Sequence, residues 1–245
     1  MENTFHSVGQ NFFKLVSVLE NGIVPQAYSY GITAYCRNFL GYNGASYISI
    51  SRFGTQSFRI YSQKGFSLMI NESIYGIDAK RTNHDSGIPG EAFVTGCIPV
   101  SKIDAVVCPE YLLDAQIRDL RLMQGIGTGL VDSVVQNIFK QIRLDENNEA
   151  RLAIENLLQE KANLSSKEMD FWDRMNTEKM IIEEIDKFLA ELIHRFFAEQ
   201  FGKEDVSVRD MMQMIAEKYN IKVLSVNENN GFTTIFDNQP TSQPS

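Results

Sequence analysis

Nothing in this sequence suggests a chain held together by anything but its own core. It has three cysteines in 245 residues, Cys36, Cys97 and Cys108. An odd, widely spaced set without a CxxC pair supports neither a disulfide framework nor a zinc site, and reads as reduced thiols. No run reaches the ~20 apolar residues that cross a bilayer. Met1 to Gln10 carries neither the basic nor the apolar stretch of a secretory leader. The expectation is a cytoplasmic protein with no membrane partner, with export to a host by another route left open. A basic excess is missing too: 23 Lys and Arg stand against 31 Asp and Glu, a net charge of −8. Such a chain repels phosphate backbones at long range, which excludes a general nucleic-acid-coating role but not a local contact. There is no internal repeat and no His, Cys, Asp and Glu cluster at metal-ligand spacing, so no metal is expected.

What is present changes character near residue 110. Residues 1–110 carry eight charges of each sign, whereas the remainder carries fifteen positive against twenty-three negative. The first part alternates short β-type runs with Gly, Asn, Ser and Pro: Ala45–Ile50, Ser57–Tyr61, Phe66–Ile70, Ala92–Thr95 and Ala105–Cys108. One helix interrupts them, with Phe12, Leu15, Val16 and Leu19 at helical spacing and Asn21-Gly22 as its stop. Later periodicity is helical. Leu112, Leu113, Ile117 and Leu120 make one face, and Leu130 to Ile142 another. Ser165–Phe201 carries a long stripe from Trp172 to Phe196, with His194 at its margin. Ser207 predicts an N-cap for a last helix to Lys218, with a strand-like run at Lys222–Val226. Residues 1–110, 111–226 and 227–245 are therefore expected to be a β-rich core, an acidic helical region and a flexible polar tail.

Three segments of the first part carry chemistry. Phe5-His6-Ser7 stands just before the early helix, which ends Leu19-Glu20-Asn21-Gly22-Ile23. Gly44-Ala45-Ser46-Tyr47-Ile48-Ser49-Ile50-Ser51 places an aromatic and two hydroxyls on alternate positions of a strand. Ile88-Pro89-Gly90-Glu91-Ala92-Phe93-Val94 opens a strand on a carboxylate, then runs on to Ile98-Pro99-Val100 and Ile103-Asp104-Ala105-Val106-Val107. Taken singly, His6 also fits a strand-edge histidine bonded to backbone, Tyr47 an ordinary strand aromatic, and Glu91 a solvated carboxylate.

In this order the segments resemble the ADP-ribosyltransferase superfamily. The likeness is to the His-Tyr-Glu branch shared by poly-ADP-ribose polymerases and DarT-type DNA ADP-ribosyltransferases, and it covers about residues 4–108. The resemblance implies an α+β fold with a split, mixed or antiparallel sheet, NAD as substrate, and catalytic His6, Tyr47 and Glu91. It implies that His6 anchors the adenosine-side ribose, Ser7 helps hold the nicotinamide amide, and Tyr47 stacks on the ring. Ser49 and Ser51 are similar to the S-x-S of the Arg-Ser-Glu branch and compete with Tyr47 for the middle place. Glu91 would stabilise the positive charge that builds on the ribose as nicotinamide leaves. Lys80, Arg81 and His84, in the loop before Glu91, would face the acceptor. Toxins that modify arginine carry Gln or Glu where this chain has Pro89, which speaks against an arginine acceptor.

The leading expectation is a mono-ADP-ribosyltransferase moving ADP-ribose from NAD to a macromolecule, protein in preference to nucleic acid. The alternatives are an NAD glycohydrolase or RNA 2′-phosphotransferase relative, and a catalytically degenerate NAD-fold interaction module. Gly125 to Gly129 lacks the Lys-Ser/Thr that follows a phosphate-binding loop and reads as a break between helices. Met211, Met212 and Met214 read as core filler.

Overall fold

Strand pairing organises this α+β protein. The computed structural model describes residues 4–23, 47–70, 77–78, 89–95, 97–123, 131–146 and 148–237. Within them β1 (Thr4–Gly9), β2 (Tyr47–Arg52), β3 (Phe66–Ile70), β4 (Ile77–Asp78) and β5 (Glu91–Thr95) join one sheet with β6 (Ile103–Pro109), β7 (Lys222–Val226) and β8 (Phe232–Phe236). The spatial order is β4-β5-β2-β1-β3-β6-β7-β8. Neighbours are antiparallel except β6 and β7, which run parallel. Ile48 and Ile50 of β2, and Phe66, Leu68 and Ile70 of β3, recur at every second position as buried apolar side chains on one face of their strands.

Two compact units share the chain. Residues 1–115 with 207–245 form the sheet unit, and residues 116–206 the helical unit. This departs from the boundaries expected at 110 and 226, because the last helix and two strands belong with the sheet. The parallel neighbours β6 and β7 require a crossover. Here the crossover contains α2 (Glu110–Leu113), the whole helical unit, and α6 (Val208–Tyr219). Ser207 caps α6 through a reciprocal pair with Asp210, and Val208 N–H donates to the Ala115 carbonyl at 2.9 Å. Met211 and Met212 are fully buried core residues.

Early in the sheet unit, α1 (Phe12–Asn21) is capped by Asn11, whose side chain accepts from Lys14 N–H. The helix ends at Gly22, where φ is 81° and an added Cβ would lie 2.5 Å from the Ile98 carbonyl oxygen. Only glycine fits there, and the close approach allows Ile23 and Ile98 to exchange two backbone hydrogen bonds. Phe5, Phe58, Ala105, Val107, Leu224 and Val226 form one core cluster, with Phe232 stacked on Phe5 at 5.8 Å.

Three expectations fail. Ser57–Tyr61 is no strand: Phe58–Ser62 forms a π-helical turn that buries Phe58. Its alternating pattern fits either conformation, and tertiary packing decides. The supposed tail contains β8, whose apolar Phe-Thr-Thr-Ile-Phe run pairs with the open edge of β7. Leu112 to Leu120 is not one helix, since α2 stops after a turn and a separate 3₁₀ turn holds Ile117–Asp119.

The helical unit contains α3 (Val131–Gln141), α4 (Glu149–Asn163) and α5 (Phe171–Phe201), and it starts its last two helices on Asn148 and Asp170 caps. Ile181, Ile185, Leu189, Ile193 and Phe197 make the buried stripe of α5, and His194 is buried beside them instead of lying at the margin. Asp186 on α5 accepts from Met123 N–H at 3.2 Å, and burial raises its carboxyl pKa to about 6. Gly125 to Gly129 lies outside the described residues. No helix among the described residues is long and apolar enough to cross a membrane.

Candidate active site

Glu91 is placed by the backbone on either side of it. Gly90 precedes it with φ of 88°, and a Cβ there would come within 2.4 Å of three Thr55 side-chain atoms. A side chain at 90 is thus excluded twice, by conformation and by space. The turn after β2 grips this corner. Arg52 N–H donates to the Gly90 carbonyl and Ser57 N–H to the Pro89 carbonyl, each at 3.1 Å. Thr55 Oγ1 donates to the Arg52 carbonyl at 2.6 Å and lies 3.1 Å from the hydroxyl of the fully buried Ser57. Beyond the corner Glu91 pairs in register with Ser51, and Phe93 with Ser49.

The carboxylate has one oxygen held and one open. Ser49 Oγ donates to Glu91 Oε1 at 2.6 Å, a short charge-assisted bond. Glu91 is 8% exposed, and its buried Oε2 has no hydrogen-bond partner among the described residues. A buried acceptor left open is costly in a folded protein, so its retention points to an incoming donor.

His6 reaches the same residue by another atom. β1 and β2 pair at Thr4 opposite Arg52 and Phe5 opposite Ser51. Past those rungs the contact passes to the His6 ring, whose Nδ1 lies 2.9 Å from the Ser49 carbonyl oxygen. A carbonyl only accepts, so Nδ1 carries the proton and Nε2 of the neutral ring is left as an acceptor. Neutrality is enforced. Burial lowers the His6 pKa to about 4, with the Lys14 ammonium adding to the effect and the Ser49 carbonyl opposing it. In register His6 shares a face with Leu68, whereas Ser49, Ser51 and Glu91 alternate onto the other face. His6 and Glu91 therefore meet Ser49 from two sides, at the place where β1 and β2 part.

Of the residues expected from sequence, the structure joins His6, Ser49 and Glu91, with Ser51 buried beside Glu91. Ser7 is next to His6 and its hydroxyl accepts from Gly9 N–H at 3.4 Å. Tyr47 opens β2 opposite Thr95, and its side chain lies outside what the structure describes. Lys80, Arg81 and His84 lie outside the described residues. Sequence reasoning missed Lys14, Thr55 and Ser57. Only Gly90, a glycine directly before the carboxylate, hinted at the clamp made by the last two.

Compared with family models, curated proteins and solved structures, the chain matches none of them.

Proposed function

We propose that the sheet unit is an ADP-ribosyltransferase core, with NAD as substrate and a macromolecule, protein in preference to nucleic acid, as acceptor. The observation that carries this reading is the Glu91 carboxylate, with Oε1 held by Ser49 at 2.6 Å and Oε2 buried and open. A carboxylate fixed by one oxygen is preorganised to accept a hydrogen bond from a hydroxyl with the other. Opposite a ribose, that contact tightens as the nicotinamide–ribose bond breaks, nicotinamide takes the bonding pair, and positive charge develops on the sugar. The acceptor nucleophile then bonds to the anomeric carbon and gives up its proton to solvent.

The parting of β1 and β2 gives a nucleotide access to Ser49's surroundings from both sides. His6 Nε2 takes a ribose hydroxyl there, and Glu91 meets the reacting sugar. Ser49 fills the middle place as a positioning residue, in the manner of the S-x-S likeness, and Tyr47 keeps only the ring-stacking role that the family resemblance implies. The test is release of labelled nicotinamide from NAD by the whole chain and by Glu91→Gln, which keeps the shape and removes the charge. Equal rates would remove Glu91 from the chemistry. Release without labelled acceptor would make the protein a glycohydrolase, and no NAD binding would leave an interaction module.

A further inference from the structure

Residues 53–63 join two parts of the sheet unit that lie far apart in sequence. At one end Ser57 N–H donates to the Pro89 carbonyl and Thr55 packs on Gly90, the corner from which Glu91 starts. At the other end Gln63 Nε2 donates to Asn230 Oδ1 at 2.7 Å, at the tip of the β7–β8 hairpin. That tip is itself fixed. Asn227 Oδ1 accepts from the N–H groups of Asn229 and Gly231, and Asn230 takes the left-handed conformation with φ of 61°. Between the two ends lies a stack of rings. Phe232 of β8 is 5.1 Å from Phe53 and 5.8 Å from Phe5, and Phe58 is 4.7 Å from Phe5. Phe5 pairs with Ser51 and Ser51 with Glu91, so the rings rise from the face that carries the carboxylate. A single π-helical turn, as at Phe58–Ser62, is seldom stable through its own hydrogen bonds. What packs at its two ends decides where it lies.

We propose that the β7–β8 hairpin positions Glu91: Asn230 and Phe232 fix residues 53–63, and these fix the Pro89-Gly90 corner and the carboxylate after it. The consequence is regulatory. Both strands of the hairpin follow the whole helical unit in the chain. The site is therefore complete only once the last strands have docked, and whatever loosens the hairpin lowers activity without touching a substrate. This rests on the transferase reading for its activity readout alone; the linkage itself is read at the backbone.

Asn230→Gly in the whole chain tests the linkage. Glycine keeps the left-handed turn and removes the acceptor, leaving Gln63 only its 3.5 Å contact with the Asn227 carbonyl. Asn230→Asp keeps an acceptor and serves as the rescue. The amides to follow are Arg52 and Ser57, the donors to Gly90 and Pro89. Their hydrogen exchange should be about three- to tenfold faster in Asn230→Gly, as loss of one hydrogen bond predicts, and near wild type in Asn230→Asp. The kcat for nicotinamide release from NAD should fall by a similar factor with KM unchanged. In Glu91→Gln the same substitution should cost nothing further, since a residue acting through Glu91 has nothing left to place. Unchanged exchange at both amides overturns the proposal, whatever the activity. An equal loss of kcat with and without Glu91 overturns it too, because that is a general loss of fold. The two readings separate cleanly. Faster exchange with no NAD turnover by wild type removes the transferase and leaves the linkage. Glu91-dependent turnover indifferent to Asn230→Gly removes the linkage and leaves the transferase.

Discussion

The two units of this protein treat polarity in opposite ways. Among the described residues, Thr4, Gln10, Asn11, Ser51, Ser57, Ser67, Glu91 and Ser225 are buried polar groups of the sheet unit, and only His194 is the equivalent in the helical unit. Exposed large apolar side chains show the reverse bias: Leu152, Phe171, Trp172, Met175, Met180 and Phe188 belong to the helical unit. Buried polar groups are expensive and specify one arrangement; exposed apolar groups cost little in place and stay available. The difference is the one the proposed function would use, with its chemistry among the buried polar groups of the sheet unit and apolar surface on the helical unit.

The sharpest way to break that comparison is to remove the chemistry without the fold. Glu91→Gln should lower NAD turnover about 10²–10³-fold, as loss of a preorganised electrostatic partner does, while circular dichroism and the unfolding midpoint stay near wild type. A variant that is both inactive and unfolded would show that Glu91 is structural. Gly90→Ala comes next. Its φ of 88° and the Thr55 side chain against it predict a loss of about 1–3 kcal/mol, read by denaturant unfolding, together with a fall in kcat. Unchanged stability there would mean that the corner relaxes and does not fix Glu91.

Mild acid should move the stabilities of the two units in opposite directions. His6 titrates at about 4 when folded and near 6.5 when unfolded, so between those values the unfolded chain binds the extra proton. The sheet unit therefore loses stability as pH falls from 6.5 towards 4. Asp186 does the opposite. Its folded value of about 6 lies above the unfolded 3.8, so the folded form holds the proton and the helical unit gains stability as pH falls through 6. Residue-level hydrogen exchange at pH 7 and pH 5 should show protection falling in one unit and rising in the other. Protection moving the same way in both would contradict this, and Asp186→Asn should abolish the rise. The smallest effect is expected at Trp172, the chain's single tryptophan, 68% exposed and edge-on to Phe171 at 5.4 Å. Trp172→Ala should change stability by no more than about 0.5 kcal/mol; a larger loss would show that the apolar surface has a partner within the fold.

Local signals in the sequence were enough for elements whose residues decide their own conformation. Asn21-Gly22 ends α1, Ser207 starts α6, and the apolar runs at Phe66–Ile70 and Lys222–Val226 are strands. The misreadings share a cause. Phe58–Ser62 turns where Ser57 N–H donates to the Pro89 carbonyl and Phe58 packs on Phe5, β8 exists because β7 offers an edge, and α6 joins the sheet unit through Ala115. Each depends on a partner distant in sequence. The same holds within the site. His6, Ser49 and Glu91 were visible as candidates, but the bond from Ser49 Oγ to the Glu91 carboxylate was not, because it runs diagonally between β2 and β5, where the register sets Ser51 opposite Glu91.

The parallel pairing of β6 with β7 carries a consequence for biosynthesis. About 110 residues separate the end of β6 at Pro109 from the start of β7 at Lys222. At translation rates of roughly 5–20 residues per second, the apolar β6 edge waits on the order of 6 to 20 seconds before its partner exists. The helical unit is made within that interval and can fold from local contacts, whereas Val106 and Val107, paired to β3 on one side, still lack their second neighbouring strand. The nascent chain is thus most exposed to edge-to-edge association in the window between its two units, and slowing synthesis there should lower the yield of soluble protein.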